Sequence, residues 1–117
     1  MSITLNTVVF NQDTFVSGDK VLYTSANNTF SSKDRLTLAR TAPKASTSFA
    51  GVARAEAKRT KTVTLADGSQ ADAIVTFSVS FPVGMAKVTA DALRDDIGDF
   101  AISAAAETLC WNHDLTY

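Results

Sequence analysis

Residues 71–81 read ADAIVTFSVSF and alternate without a break. Ala73, Val75, Phe77, Val79 and Phe81 share one parity; Asp72, Ile74, Thr76, Ser78 and Ser80 share the other. Side chains of a β-strand point to opposite faces with period two, so this segment is a strand with one apolar and one mostly hydroxylated face. The apolar face needs a cover, and the unusually polar opposite face sets the question of function.

Outward from this stretch, turn signals separate further strand-like runs. ITLNTVVF (3–10) is rich in β-branched residues and stops at Asn11 to Asp13, a turn into Thr14 to Val16, with the next break at Ser17, Gly18 and Asp19. KVLYTSA (20–26) closes at Asn27 and Asn28, and RLTLART (35–41) ends before Pro43, which has no N–H to donate to a ladder. In SFAGVARAEAK (48–58) the helix-favouring Ala, Glu and Lys are overruled by period two: Phe49, Gly51, Ala53, Ala55 and Ala57 against Val52, Arg54, Glu56 and Lys58. KTVTL (61–65) reads as a further short strand, and Asp67 with Gly68 as a hairpin turn into the opening segment.

After Pro82 the period changes. Thr89 is the expected N-cap of a helix with Asp91 in its first turn, where negative charge suits the dipole. Leu93, Ile97, Phe100, Ala101 and Ala104 recur at spacings of three and four, an apolar stripe. Ser103 marks a bend or second N-cap before AAAETLCW, so two helices are expected. Gly98 costs about 1 kcal/mol relative to Ala inside a helix, which close approach of a neighbouring backbone would explain, as would chance. Strands followed by helices give an α+β layer arrangement, in one domain over 1–117, with helices available to cover the apolar face.

Composition agrees with a folded chain: 117 residues, 45% apolar and 20% charged. At this size a lone domain hides only about two-thirds of its surface, so self-association would contribute much. No run reaches the ~20 apolar residues of a membrane span, and Met1 leads into SITLNTVVF without a basic segment that would mark export. The one cysteine, Cys110, has no internal partner for a disulfide, which is compatible with a reducing cytoplasm. The formal charge of −1 conceals an asymmetry. From Lys33 to Lys61 eight basic residues face two acidic ones, net +6; from Thr89 to Glu107 one basic residue faces five acidic ones, net −4.

Catalytic groups are sparse. His113 and Cys110 lie close in sequence near the C-terminus with no third group to orient them, so a cysteine in packing and a histidine at the surface are preferred to a nucleophile pair. Asp95, Asp96 and Asp99 have no histidine nearby to complete a metal site and read as a solvated helix face. There is no glycine-rich phosphate loop. Neither an enzyme, a metal, a cofactor nor a small-molecule substrate is expected. If the strands at 35–41, 48–58 and 71–81 share a sheet, Arg35, Thr37, Arg54, Lys58, Thr76 and Ser78 emerge together, opposite Leu36, Leu38, Phe49, Phe77 and Val79. Cations there can meet phosphates, and hydroxyls can reach sugar or base edges.

In order of elements and length the chain resembles the coat proteins of the single-stranded RNA bacteriophages, the levivirus type. The resemblance runs from a hairpin near ITLNTVVFNQDTF to a terminal LTY, with RLTLARTAP and ADAIVTFSVSF the closest local matches. It implies an N-terminal β-hairpin, a five-stranded antiparallel sheet and two C-terminal α-helices, paired into an intertwined dimer with a continuous ten-stranded sheet. Each chain's helices would cover the partner's apolar face, and dimers would build an icosahedral shell around single-stranded genomic RNA, assembled in the bacterial host cytoplasm. It also implies that the inner face clamps one RNA stem-loop as a translational repressor.

Residue by residue, the RNA-facing positions implied by the resemblance are Arg35, Thr37, Ala39 and Thr41; Ala50, Val52, Arg54, Glu56 and Lys58; and Asp72, Ile74 and Thr76. The chain departs from the pattern in lacking a stacking tyrosine near Asp72, a lysine near Val52 and hydroxyls at Ala39 and Ala50. Base stacking is worth ~1 to 3 kcal/mol, so packaging of RNA in general is expected ahead of the familiar hairpin recognition. No paired cysteines occupy the turn at Ala66 to Gln70, so shells stapled by disulfides are not expected. A small dimeric nucleic-acid-binding regulator that forms no shell is the alternative.

Overall fold

Period-two alternation carries the first part of the chain into one antiparallel sheet, seen in a computed structural model that describes residues 2–48 and 50–116. The chain divides into two units, Met1–Val83 and Gly84–Tyr117. In the first unit the strands are β1 (Ser2–Leu5), β2 (Val8–Ser17), β3 (Lys20–Thr24), β4 (Asp34–Thr41), β5 (Val52–Thr64) and β6 (Gln70–Pro82). They lie in sequence order, each hydrogen-bonded to the next, so β1 and β6 are the edges. The expected hairpin plus five strands is thus corrected to six strands in a single sheet.

Two differences from the sequence reading have local causes. ITLNTVVF is not one strand: the chain reverses at Asn6 and Thr7, both at positive φ (51° and 71°), and pairs Leu5 with Val8. The predicted turn at Asn11 to Asp13 is instead the middle of β2: Asn11 pairs with both β1 and β3, Gln12 pairs with β3, and Asp13 falls in the register shift between Gln12 and Thr14, a bulge where the turn was expected. Likewise, the runs read as separate strands at 48–58 and 61–65 merge over Val52–Thr64 into one strand, β5. Arg59 and Thr60 continue the alternation, and pairing with β4 and with β6 holds the segment extended. The strand begins only after Gly51, whose φ of 99° breaks the ladder, so Ala50 lies outside it, while Phe49 falls outside the described residues. The hairpin between β5 and β6 turns where Asp67 and Gly68 predict: Leu65 N–H donates to the Ser69 carbonyl (2.7 Å), and Asp67 accepts from the Ser69 N–H and hydroxyl.

The core of this unit is small: Phe10 (1% exposed), Tyr23 and Leu36, with Ile3, Val21, Leu38 and Ala57 packed against them. A buried polar cluster adjoins it. Asp34 pairs with the Arg59 guanidinium (2.5 Å) and accepts from the Ser25 hydroxyl, and Arg59 lies over the Phe10 ring at 4.6 Å. Burial pushes the Asp34 carboxyl up, but hydrogen bonds from Ser25 and Arg59 and nearby positive charge outweigh it and hold it below its ordinary value.

In the second unit α1 spans Lys87–Ala101 and α2 spans Ala104–Asn112. Thr89 is not the cap: that position falls three residues earlier, at Ala86, with no side-chain cap, and Asp91 sits in the second turn, paired with Lys87 (2.8 Å) and Arg94 (3.7 Å). Ser103 does cap α2, its hydroxyl accepting from Ala106 N–H at 3.2 Å. Among the described residues of this unit a Cβ at Gly98 would meet nothing within 4 Å. Among the described residues no helix is long and apolar enough to cross a membrane.

Candidate nucleic-acid interface

Register, rather than parity alone, fixes which side chains share a face. Across β3, β4, β5 and β6 the cross-strand rows read Leu22, Thr37, Lys58, Thr76, then Lys20, Ala39, Glu56, Ser78, and toward one end Thr24, Arg35, Thr60, Ile74. Thr41, Arg54 and Ser80 form a further row, followed by Val52 opposite Pro82, while Thr62 and Asp72 close the other end. Directly opposed residues of an antiparallel pair point the same way. Every strand position predicted for RNA therefore lies on one face: Arg35, Thr37, Ala39, Thr41, Val52, Arg54, Glu56, Lys58, Asp72, Ile74 and Thr76. The other face carries Leu36, Leu38, Ala55, Ala57, Val75, Phe77, Val79 and Phe81.

The register also brings in residues that the sequence reading missed. Lys20 and Leu22 arrive from β3, Thr60 from the gap left between the two runs that make up β5, Thr62 from the run read as a separate short strand, and Lys33 from the approach to β4. An open depression of about 350 Å³ lies among Lys20, Lys33, Arg35, Lys58, Leu22 and Ile74. The signal for Lys20 was available, since it opens a strand whose odd residues Val21 and Tyr23 are apolar. Lys33 had none, because it precedes its strand.

Electrostatics differ across this face. Among the described residues Lys20, Arg54 and Lys58 have no ion pair. Arg35 Nε donates to Asn28 Oδ1 at 3.2 Å. Lys33 Nζ pairs with Asp72 Oδ2 at 3.1 Å, and the Thr62 hydroxyl donates to Asp72 Oδ1 at 2.9 Å. Hydrogen bonds from Lys33 and Thr62, with the positive charge of Lys33 and Arg35, hold the Asp72 carboxyl below its ordinary value. The surface can hold polyanion through exposed cations and short hydroxyls, and it carries two carboxylates, Asp72 and Glu56, within the same grid.

Elsewhere, Cys110 is exposed on α2 and His113 is its C-cap, in the left-handed region at φ 55°. Among the described residues no group of three or more His, Cys, Asp or Glu side chains is placed to hold a metal ion.

No family model and no curated protein matches the sequence. Solved structures do. The virus-like particle of Beihai levi-like virus 32 aligns over 97% of this chain and 87% of its own, at 19% identity and TM-score 0.77. That of Wenzhou levi-like virus 4 aligns over 92% and 77%, at 18% identity and TM-score 0.78. The virus-like particle of bacteriophage GQ-907 aligns over 99% and 90%, at 15% identity and TM-score 0.77. The chain has their fold. In the levi-like fold, as found here, the cationic grid occupies one face of the sheet and an incompletely covered apolar surface the other. Val75 remains 71% exposed there, and Phe15 and Phe77 are also open.

Proposed function

We propose that the chain is a coat-protein subunit that pairs with a second copy, builds a closed shell and packages single-stranded RNA against the cationic face of its sheet. The observation that carries this reading is the joint one: a fold shared with virus-like particles over nearly the whole chain, and a register that gathers the predicted contact residues onto one face.

Exposed apolar surface supports the pairing. Phe77 and Val75 on the sheet, and Leu93, Ile97 (54%) and Phe100 on one stripe of α1, all remain open to water. At about 25 cal/mol per Å² of apolar area, leaving such side chains exposed forgoes several kcal/mol that a second copy recovers on docking. The edge of β6 supports it too, since along this thirteen-residue strand alternate residues turn their backbone groups away from β5 and toward a further strand. Two sheets joined along that edge form one continuous surface, so the cationic faces of both copies lie on the same side.

Packaging needs only the sequence-independent term, cations exchanging counterions for phosphates, and Lys20, Arg54 and Lys58 are free to supply it. The test is expression in a bacterial host followed by electron microscopy and nuclease treatment. Closed particles that protect RNA are the expected result. Soluble dimers that bind RNA without ever closing would favour the small regulator instead, and a monomer indifferent to RNA would end both readings.

A further inference from the structure

One corner of the cationic face is already neutralised from within. Lys33 N–H donates to Thr62 Oγ1 (2.9 Å), the Thr62 hydroxyl donates in turn to Asp72 Oδ1 (2.9 Å), and Lys33 Nζ donates to Asp72 Oδ2 (3.1 Å). Thr62 N–H also donates to the Lys33 carbonyl (2.9 Å), which fixes the two residues against each other. Because the Lys33 N–H occupies the acceptor side of the Thr62 hydroxyl, that hydroxyl's proton is directed to Asp72. The carboxylate is thereby oriented rather than left to swing, with both oxygens engaged. The side chains of Lys33 and Asp72 are 46% and 35% exposed, so both are within reach of a ligand.

We propose that Asp72 is a specificity-determining residue of the RNA face that withholds Lys33 from phosphate. This rests on the reading of that face as an RNA-binding surface. A nucleic-acid backbone then tracks along Lys20, Lys58 and Arg54 and avoids the corner at Lys33, where a phosphate would meet a fixed carboxylate. The cation count of the face therefore overstates the number of phosphates that it neutralises by one.

For single strands each phosphate neutralised adds about 0.7 to the slope of log affinity against log salt. The experiment measures fluorescence anisotropy of a fluorescein-labelled oligouridylate with purified protein, between about 50 and 200 mM salt. The variants are Asp72→Asn, Lys33→Gln and the two together. Asn at 72 removes the charge yet keeps an oxygen for Thr62, and thermal melts check that each variant is folded. Asp72→Asn is expected to bind several-fold more tightly at low salt with a slope steeper by about 0.7, and adding Lys33→Gln should return the slope to that of the wild type. Lys33→Gln alone should leave the slope unchanged. Equal slopes for the wild type and Asp72→Asn, with RNA bound by both, would overturn the role of Asp72 alone. So would a shallower slope for Lys33→Gln, which would place Lys33 on phosphate already. A wild type that binds no RNA even at low salt removes the reading of the face and this role with it.

Discussion

Asp34 ties together four segments that are distant in sequence. It opens β4, takes the Ser25 hydroxyl at the end of β3, and holds Arg59 of β5, which in turn covers Phe10 of β2. At 4% exposure Asp34 depends on that partner: removing its charge leaves a guanidinium facing a core aromatic with nothing to balance it. Asp34→Asn should lower unfolding free energy by about 2 to 3 kcal/mol in urea titrations at fixed protein concentration. The pH dependence follows from the direction of the shift. A carboxyl held below its ordinary 3.8 when folded adds stability above that value, lost as pH falls through the folded pKa. Denaturation midpoints of the wild type should therefore fall below about pH 4, and those of Asp34→Asn should fall less steeply. Gly51 is constrained by space as well as by φ: a Cβ there would meet the Lys44 backbone N, C and O at 2.8 to 2.9 Å. Gly51→Ala should cost about 3 kcal/mol, read as a lowered melting temperature, since both a left-handed non-glycine residue and a backbone shift are involved.

Among the elements, those with undisturbed periodicity were legible in the sequence, and those decided by partners were not. β6 was read to within a residue at either end, as was the cap of α2 at Ser103, because alternation and a hydroxyl cap are local signals. Replacing that cap by Ala should destabilise the helix by about 1 kcal/mol, measurable by thermal melts followed by circular dichroism. The ends of β1 and β2 and the continuity of β5 escaped, because ladders on both sides outweighed the preferences of Asn11 and of the residues near Lys58, and a bulge absorbed Asp13. The contact face shows the same division. Parity was enough to group Arg35, Thr37, Arg54, Lys58 and Thr76; Lys33 and the Thr62 relay to Asp72 appear only once the strands are in register. On α1, Phe100→Asp places a charge in the stripe proposed to face a second copy. It should shift sedimentation from dimers or shells to monomers while leaving far-ultraviolet circular dichroism nearly unchanged.

For the whole molecule the charge asymmetry is the useful quantity. The basic middle of the chain contributes Arg35, Arg54 and Lys58 to one sheet face, whereas the acidic residues Asp91, Asp95, Asp96 and Asp99 belong to α1. Reversing Arg35, Arg54 and Lys58 to Glu together should abolish nuclease-protected RNA in purified particles, read as the ratio of absorbance at the nucleic-acid and protein bands, while melting temperature stays near that of the wild type. Unchanged RNA content would place the packaging surface elsewhere. Scattered mutation of three exposed cations outside the cross-strand rows of this face, Arg40, Lys44 and Lys61, should have much the smaller effect, because clustered charge raises the local potential felt by a polyanion.

The bare flank of β6 has a kinetic corollary. Under the proposed pairing, the strand that ends the sheet exchanges water for a second copy's backbone, and the last stage of renaturation is then second-order. Dilution should slow recovery in proportion, and a crowded ribosome-proximal pool of nascent chains would finish far sooner than isolated ones.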